Sequence, residues 1–102
     1  MNKIINGKKY STETAKLIAN HSNNLSANDF RFFAEALYLK KTGEYFLFGE
    51  GHGMSEYGEM KGNGGMGWGE IIKPFSENNA KNWAEKNLSG EEFEEIFGEV
   101  QE

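Results

Sequence analysis

Apolar positions are densest between Phe32 and Gly49 (FFAEALYLKKTGEYFLFG), where two aromatic-rich runs flank Lys41-Thr42-Gly43. Leu37, Tyr38 and Leu39 on one side and Tyr45, Phe46, Leu47 and Phe48 on the other suit a pleated, half-buried surface. Gly43 can take the positive φ that closes a three-residue loop with a bulge. The spacing predicts a central β-hairpin. Alternation places Phe33, Leu37 and Leu39 on one face and Ala34, Ala36 and Tyr38 on the other. Apolar groups on both faces predict a central strand rather than an edge strand. The residues from Asp29 to Ala36 also allow a helical turn at the start of the first run.

The flanking pattern predicts the remaining elements. Lys3-Ile4-Ile5 and Lys8-Lys9-Tyr10 surround Asn6-Gly7, a strong turn signal because a type I′ turn needs positive φ at both central residues. Ser11 or Thr12 is placed to cap a helix with Glu13 in its first turn; Thr14, Leu17, Ile18 and His21 share a face, and the loop-like His21–Asn24 ends it near Asn20. Nine of the twenty-one residues from Gly49 to Gly69 are glycine, which excludes a stable helix and suggests a mobile loop. That loop also carries Met54, Tyr57, Met60, Met66 and Trp68, groups suited to a partner. Glu70 to Lys73 reads as a short strand closed by Pro74. Ser76 caps a helix that buries Ala80, Trp83, Ala84 and Leu88, and Ser89-x-x-Glu92 opens a last helix that buries Phe93, Ile96, Phe97 and Val100. The expectation is one α+β domain over residues 1–102, with a Gly-rich loop at 49–69. Its antiparallel sheet is built on two β-hairpins plus a short strand and packs against three helices, one N-terminal and two C-terminal.

Composition narrows the function classes. A chain of 102 residues is one domain that can bury roughly two-thirds of its extended surface. The absence of cysteine rules out a disulfide framework, a thiol nucleophile and a thiolate metal site. Asn6-Gly7 interrupts Ile4-Ile5, so no signal peptide is expected, and no stretch approaches the ~20 apolar residues of a membrane helix. A cytoplasmic protein is the resulting expectation. The net charge of −5 conceals a split: residues 1–41 hold seven basic and three acidic groups (+4), and residues 42–102 hold four basic and thirteen acidic (−9). The acidic part is a poor surface for naked nucleic acid and a good one for a basic protein.

No catalytic set stands out. Gly62-x-Gly64-x-x-Gly67 has the letters of a dinucleotide fingerprint but leads into a strand, where that chemistry needs a helix N-terminus. Only His21 and His52 offer imidazoles; Glu50, His52 and Glu56 can approach one another, yet nothing is spaced like a metal-ligand set. No enzyme activity, cofactor or metal is expected. The last helix carries Glu91, Glu92, Glu94, Glu95 and Glu99, with like-charge pairs four residues apart at Glu91/Glu95 and Glu95/Glu99. Such pairs align carboxylates about 5–6 Å apart and so resemble a line of phosphates.

Several stretches also resemble a family. They are KIINGKKY (Lys3–Tyr10) with TETA (Thr12–Ala15), Leu37-Tyr38 through KTGEYFLFGEG (Lys41–Gly51), AKNWAEK (Ala80–Lys86) and EFEEIFG (Glu92–Gly98). They are similar to small proteins of Gram-positive mobile elements that include type II-A anti-CRISPR proteins. The resemblance implies an inhibitor whose partner is the type II RNA-guided effector nuclease. Relatives either interfere with guide RNA loading or, in a longer relative with a C-terminal extension, provoke truncation of the guide. This chain ends at Glu102 without that extension, which favours the loading mode. A guide-binding channel is strongly basic, so the expected contacts on an acidic surface are Glu91, Glu92, Glu94, Glu95, Glu99, Glu50 and Glu56, with Tyr57 and Trp68. A second reading has guide RNA itself as the partner, bound or cleaved, with Lys8, Lys9, Arg31, Lys40 and Lys41 meeting phosphates and aromatic groups stacking on bases. A third is an interaction domain of a mobile element unrelated to CRISPR.

Overall fold

The computed structural model describes all residues from Met1 to Glu102. In chain order the elements are β1 (Asn2–Ile5), β2 (Lys8–Ser11), β3 (Lys16–Ser22), β4 (Phe33–Leu39), β5 (Tyr45–Gly51), β6 (Glu59–Met60), β7 (Met66–Gly67), β8 (Gly69–Phe75), α1 (Glu77–Asn87) and α2 (Gly90–Phe97). Strands β3, β4, β5 and β8 form an antiparallel sheet in the order β3-β4-β5-β8. β1 and β2 form a separate hairpin whose Asn6 and Gly7 have φ of 51° and 78°, as a type I′ turn demands. The β4–β5 loop closes as its sequence suggests, with Gly43 at φ 91° and its N–H donating to the Lys40 carbonyl at 2.9 Å. The α+β class holds, but with two helices rather than three, and no helix is long and apolar enough to cross a membrane.

The missing helix is the N-terminal one. The Ala15 N–H donates to the Ser11 carbonyl over 3.1 Å, a single helical turn, and the chain then extends as β3. One turn is a costly nucleus with little propagation ahead of it, whereas pairing with the open edge of β4 satisfies backbone groups along seven residues. The Ser11 side chain accepts from Glu13 N–H in a local turn instead of capping a helix. A bulge between Leu17 and Ala19 lets both Ile18 and Ala19 pack against the core that also holds Leu37. Adjacent buried residues of that kind imitate helical spacing.

Each face of the sheet is covered by different material. On one face Leu37 and Leu47 pack against Ala80, Trp83 and Ala84 of α1, with Phe93 and Phe97 of α2 beside them. On the other, Tyr10 of β2 packs with Phe46 and Ile72. Its ring meets Phe46 edge-on at 5.6 Å, Tyr38 stacks on Phe46 at 5.1 Å, and the Lys40 ammonium lies 4.1 Å over Tyr10. Leu37 and Phe46 are fully buried on opposite faces, which makes β4 and β5 the central strands.

Two helix and strand ends differ from the reading of the sequence. Pro74 does not close β8 but sits inside it, opposite Phe46. β8 is an edge strand, where a missing N–H costs no ladder bond. Ser76 and Ser89 form capping boxes with Asn79 and Glu92. α2 then stops at Phe97, with Gly98 at φ 95°, so Val100 lies beyond the helix and is 60 % exposed rather than buried.

Candidate protein-docking surfaces

The glycine-rich segment is packed against the sheet. A Cβ on Gly49 would lie 2.3 Å from Tyr57 Cζ, one on Gly51 2.2 Å from Ser55 Oγ, and one on Gly69 1.9 Å from the Tyr57 carbonyl oxygen. These glycines leave the helix-side face of β5 and β8 bare so that the segment can lie on it, with the Tyr57 ring filling the space over Gly49. The Tyr57 hydroxyl donates to the Glu35 carboxylate, and the Trp83 indole N–H donates to the same carboxylate at 2.9 Å. Lys73 Nζ lies 5.6 Å over the Tyr57 ring. Burial, then the bond to Glu35, raises the Tyr57 phenol above its ordinary value. The loop, the central strand and α1 therefore meet at one carboxylate. Tyr57 is only 7 % exposed, so it anchors the loop and offers no contact surface. Beyond it, β6 and β7 form a short ribbon whose Lys61 ammonium donates to the Trp68 carbonyl at 2.7 Å.

An aromatic bank closes this end of the sheet. Phe32 stacks on Trp68 at 5.7 Å, His52 meets Trp68 edge-on at 6.0 Å, and Phe30 meets His52 at 4.5 Å. Trp68 is half-buried, while Phe30 is 57 % and Met54 73 % exposed. Next to the bank, Glu50 stands directly across from Glu70. Partial burial and the Glu70 charge both push the Glu50 carboxyl up from its usual value. The Nδ1 atom of His52 accepts from the Gly53 N–H, and no three His, Asp or Glu side chains are placed to share a metal ion.

The expected acidic contacts separate into groups. Glu91, Glu92, Glu94 and Glu95 are exposed on α2 and form no ion pair. Glu92 serves the capping box, and Glu94 accepts from Val100 N–H at 2.9 Å. Glu99 follows the helix end, so the Glu95/Glu99 row is not formed, whereas Glu91 and Glu95 remain one turn apart. Glu56 borders a different hollow of about 430 Å³ beside Glu35, Lys73 and Lys86. Glu50 and Trp68 occupy the face of the sheet away from the helices, by strand alternation from Gly49 and Gly69.

The basic candidates gather more closely. Lys8, Lys9, Lys40 and Lys41 line one hollow of about 480 Å³ with Thr14, Thr42 and Glu44. Glu44 accepts from Lys8 at 2.8 Å, Lys40 at 3.1 Å and Thr42 at 3.0 Å. Those hydrogen bonds hold its carboxyl down to about 2 and raise Lys8. Arg31 is elsewhere, in the turn before β4, bound to Asp29 at 3.0 Å; that pairing holds the Asp29 carboxyl down to about 2.

Glu35, Glu44 and Glu70 were not singled out by sequence reasoning. For Glu35 a signal was present: it is the one charged position on the otherwise apolar Phe33-x-Glu35-x-Leu37-x-Leu39 face. No protein-family description, no curated protein and no solved structure matches this chain.

Proposed function

We propose that this protein is a non-enzymatic inhibitor of the type II RNA-guided nuclease, and that it presents the carboxylates of α2 to the basic surface that takes up guide RNA. The observation that carries the reading is the row of four exposed glutamates on α2, Glu91, Glu92, Glu94 and Glu95, none neutralised by a lysine or arginine of this chain. Like charges one helical turn apart, as at Glu91 and Glu95, cost stability, and a cationic groove is the environment that returns it. The resemblance of the N-terminal hairpin, the central hairpin and both helices to type II-A anti-CRISPR proteins supports the same partner. Glu50 and Glu56 lie apart from α2 and are not included in this contact. A pull-down of the nuclease with and without its guide tests the reading. Capture of the guide-free form is expected, and equal capture of both forms contradicts competition with guide RNA.

A second reading is favoured by the lysine hollow. Guide RNA itself would meet Lys8, Lys9, Lys40 and Lys41, while Glu44 spends part of that positive charge internally. A mobility shift of guide RNA by this protein alone, lost in K9A/K41A, supports it; no shift at low salt removes it.

A further inference from the structure

We propose that the half of the sheet left uncovered by the β1–β2 hairpin is a second docking surface, and that it takes an apolar segment bearing lysine or arginine from a protein partner. It lies on the face away from α2, so it does not depend on the nuclease reading.

Two complete cross-strand rows make up this surface. One is Asn20, Ala36, Phe48 and Ile72; the next is Ser22, Ala34, Glu50 and Glu70. Ile72 is covered by the cluster around Tyr10 and Phe48 packs against that cluster, whereas no residue of the second row belongs to it and Glu70 there is exposed. Ala34 and Ala36 have no bulk at the centre of the sheet, and together with Asn20 and Ser22 they leave a trough; at its β3 edge it runs into a hollow of about 520 Å³ that Ala34, Asn20 and Ser22 share with His21 and Asn24. Phe48 walls it on the β5 side, and the Phe32–Trp68 stack closes its end. A trough with one aromatic wall and an aromatic end accommodates an extended or helical apolar segment.

Charge selects the occupant. Glu50 and Glu70 stand directly opposite one another and neither is within ion-pair distance of a cation. Like charges in that position destabilise a sheet. A guanidinium or ammonium seated between them turns a repulsive pair into two charge-assisted hydrogen bonds. The same carboxylates disfavour phosphates, although aromatic groups on a four-stranded sheet otherwise suit stacked bases. A second copy of this chain is disfavoured as well, because symmetric pairing of the face brings two Glu50/Glu70 pairs together.

The test needs no nuclease. Labelled peptides of about a dozen residues, one alternating Arg with Leu and one alternating Glu with Leu, are titrated with the full chain alongside a single-stranded RNA of similar length, and binding is read by anisotropy. Amide shifts map the contact. The Arg peptide is expected to bind, with shifts at Ala34, Ala36, Glu50 and Glu70. Its affinity is expected to fall about tenfold in E50Q/E70Q, about 1.4 kcal/mol, and to stay within about twofold in E91Q/E95Q. Each change replaces a carboxylate by an amide of the same shape, at a half-buried Glu50 and at exposed Glu70, Glu91 and Glu95, and circular dichroism checks that both variants fold. No Arg-peptide binding, equal binding to E50Q/E70Q, preferential binding of the Glu peptide or RNA on this face, or self-association through it would each overturn the proposal.

Discussion

Replacing Gly49 with alanine tests whether Tyr57 needs a bare strand beneath it. The backbone at Gly49 is not in the left-handed region, so alanine is allowed there, but its Cβ would fall 2.3 Å from Tyr57 Cζ and 2.4 Å from Cε1. The ring is buried and its hydroxyl is bound to Glu35, so it cannot swing aside without losing that bond. Overpacking of this kind costs about 1–3 kcal/mol, and the lost hydrogen bond to a charged group places the cost at the upper end, about 3 kcal/mol. Y57A alone costs about 3–5 kcal/mol through the cavity it leaves. In the Y57A background the sign reverses: the three atoms nearest the Cβ of alanine at 49 are gone, and alanine gains about 0.5–1 kcal/mol over glycine in a strand. Urea denaturation of the four proteins gives the cycle, with an expected coupling of about 2–4 kcal/mol. Additive effects would refute the idea that the glycine exists for the tyrosine.

Glu35→Ala is expected to lower stability by about 2–5 kcal/mol, since the Tyr57 hydroxyl and the Trp83 indole N–H both lose their acceptor, and Glu35→Gln by less; urea midpoints check both. The Glu44 network gives a pH signature: its carboxyl falls from an ordinary 4.5 to about 2 in the folded protein, so its stabilisation is full above about pH 4.5 and disappears as the pH falls to about 2. Thermal melts of Glu44→Gln are expected to show a shallower acid decline than the parent, and an unchanged slope counts against the Lys8–Glu44–Lys40 contact. Glu50 has the opposite sign: its carboxyl is raised, so the folded state gains stability as the pH falls through that raised value toward 4.5. Glu50→Gln is therefore expected to melt higher than the parent at neutral pH and no higher near pH 4.

The central hairpin was legible because two independent signals agreed there. Both faces of Phe33–Leu39 are apolar, and Gly43 sits where the loop needs positive φ. The two C-terminal helices were legible from their serine caps and buried faces. The stretch after Ser11 was not, because Thr14, Leu17, Ile18 and His21 have helical spacing and their fate depends on the free edge of β4, a tertiary fact. The glycines misled for a related reason. Counted along the chain they look like flexibility, but Gly49, Gly51 and Gly69 are places where another part of the chain lies against a strand. The acidic surface was legible as composition only. Which carboxylates share a face depended on where α2 ends and on the strand alternation that sends Glu50 away from the helices.

Competition for guide RNA tests the functional account most directly. Labelled guide RNA is titrated into the type II nuclease with excess wild-type protein or with E91Q/E92Q/E94Q/E95Q, at about 0.05 M and about 0.3 M salt. The account predicts that the wild-type chain suppresses loading at low salt, suppresses it less at high salt, and loses most of the effect when the α2 carboxylates are amides. Unchanged loading at excess wild-type protein, or full suppression by the amide variant, would contradict it.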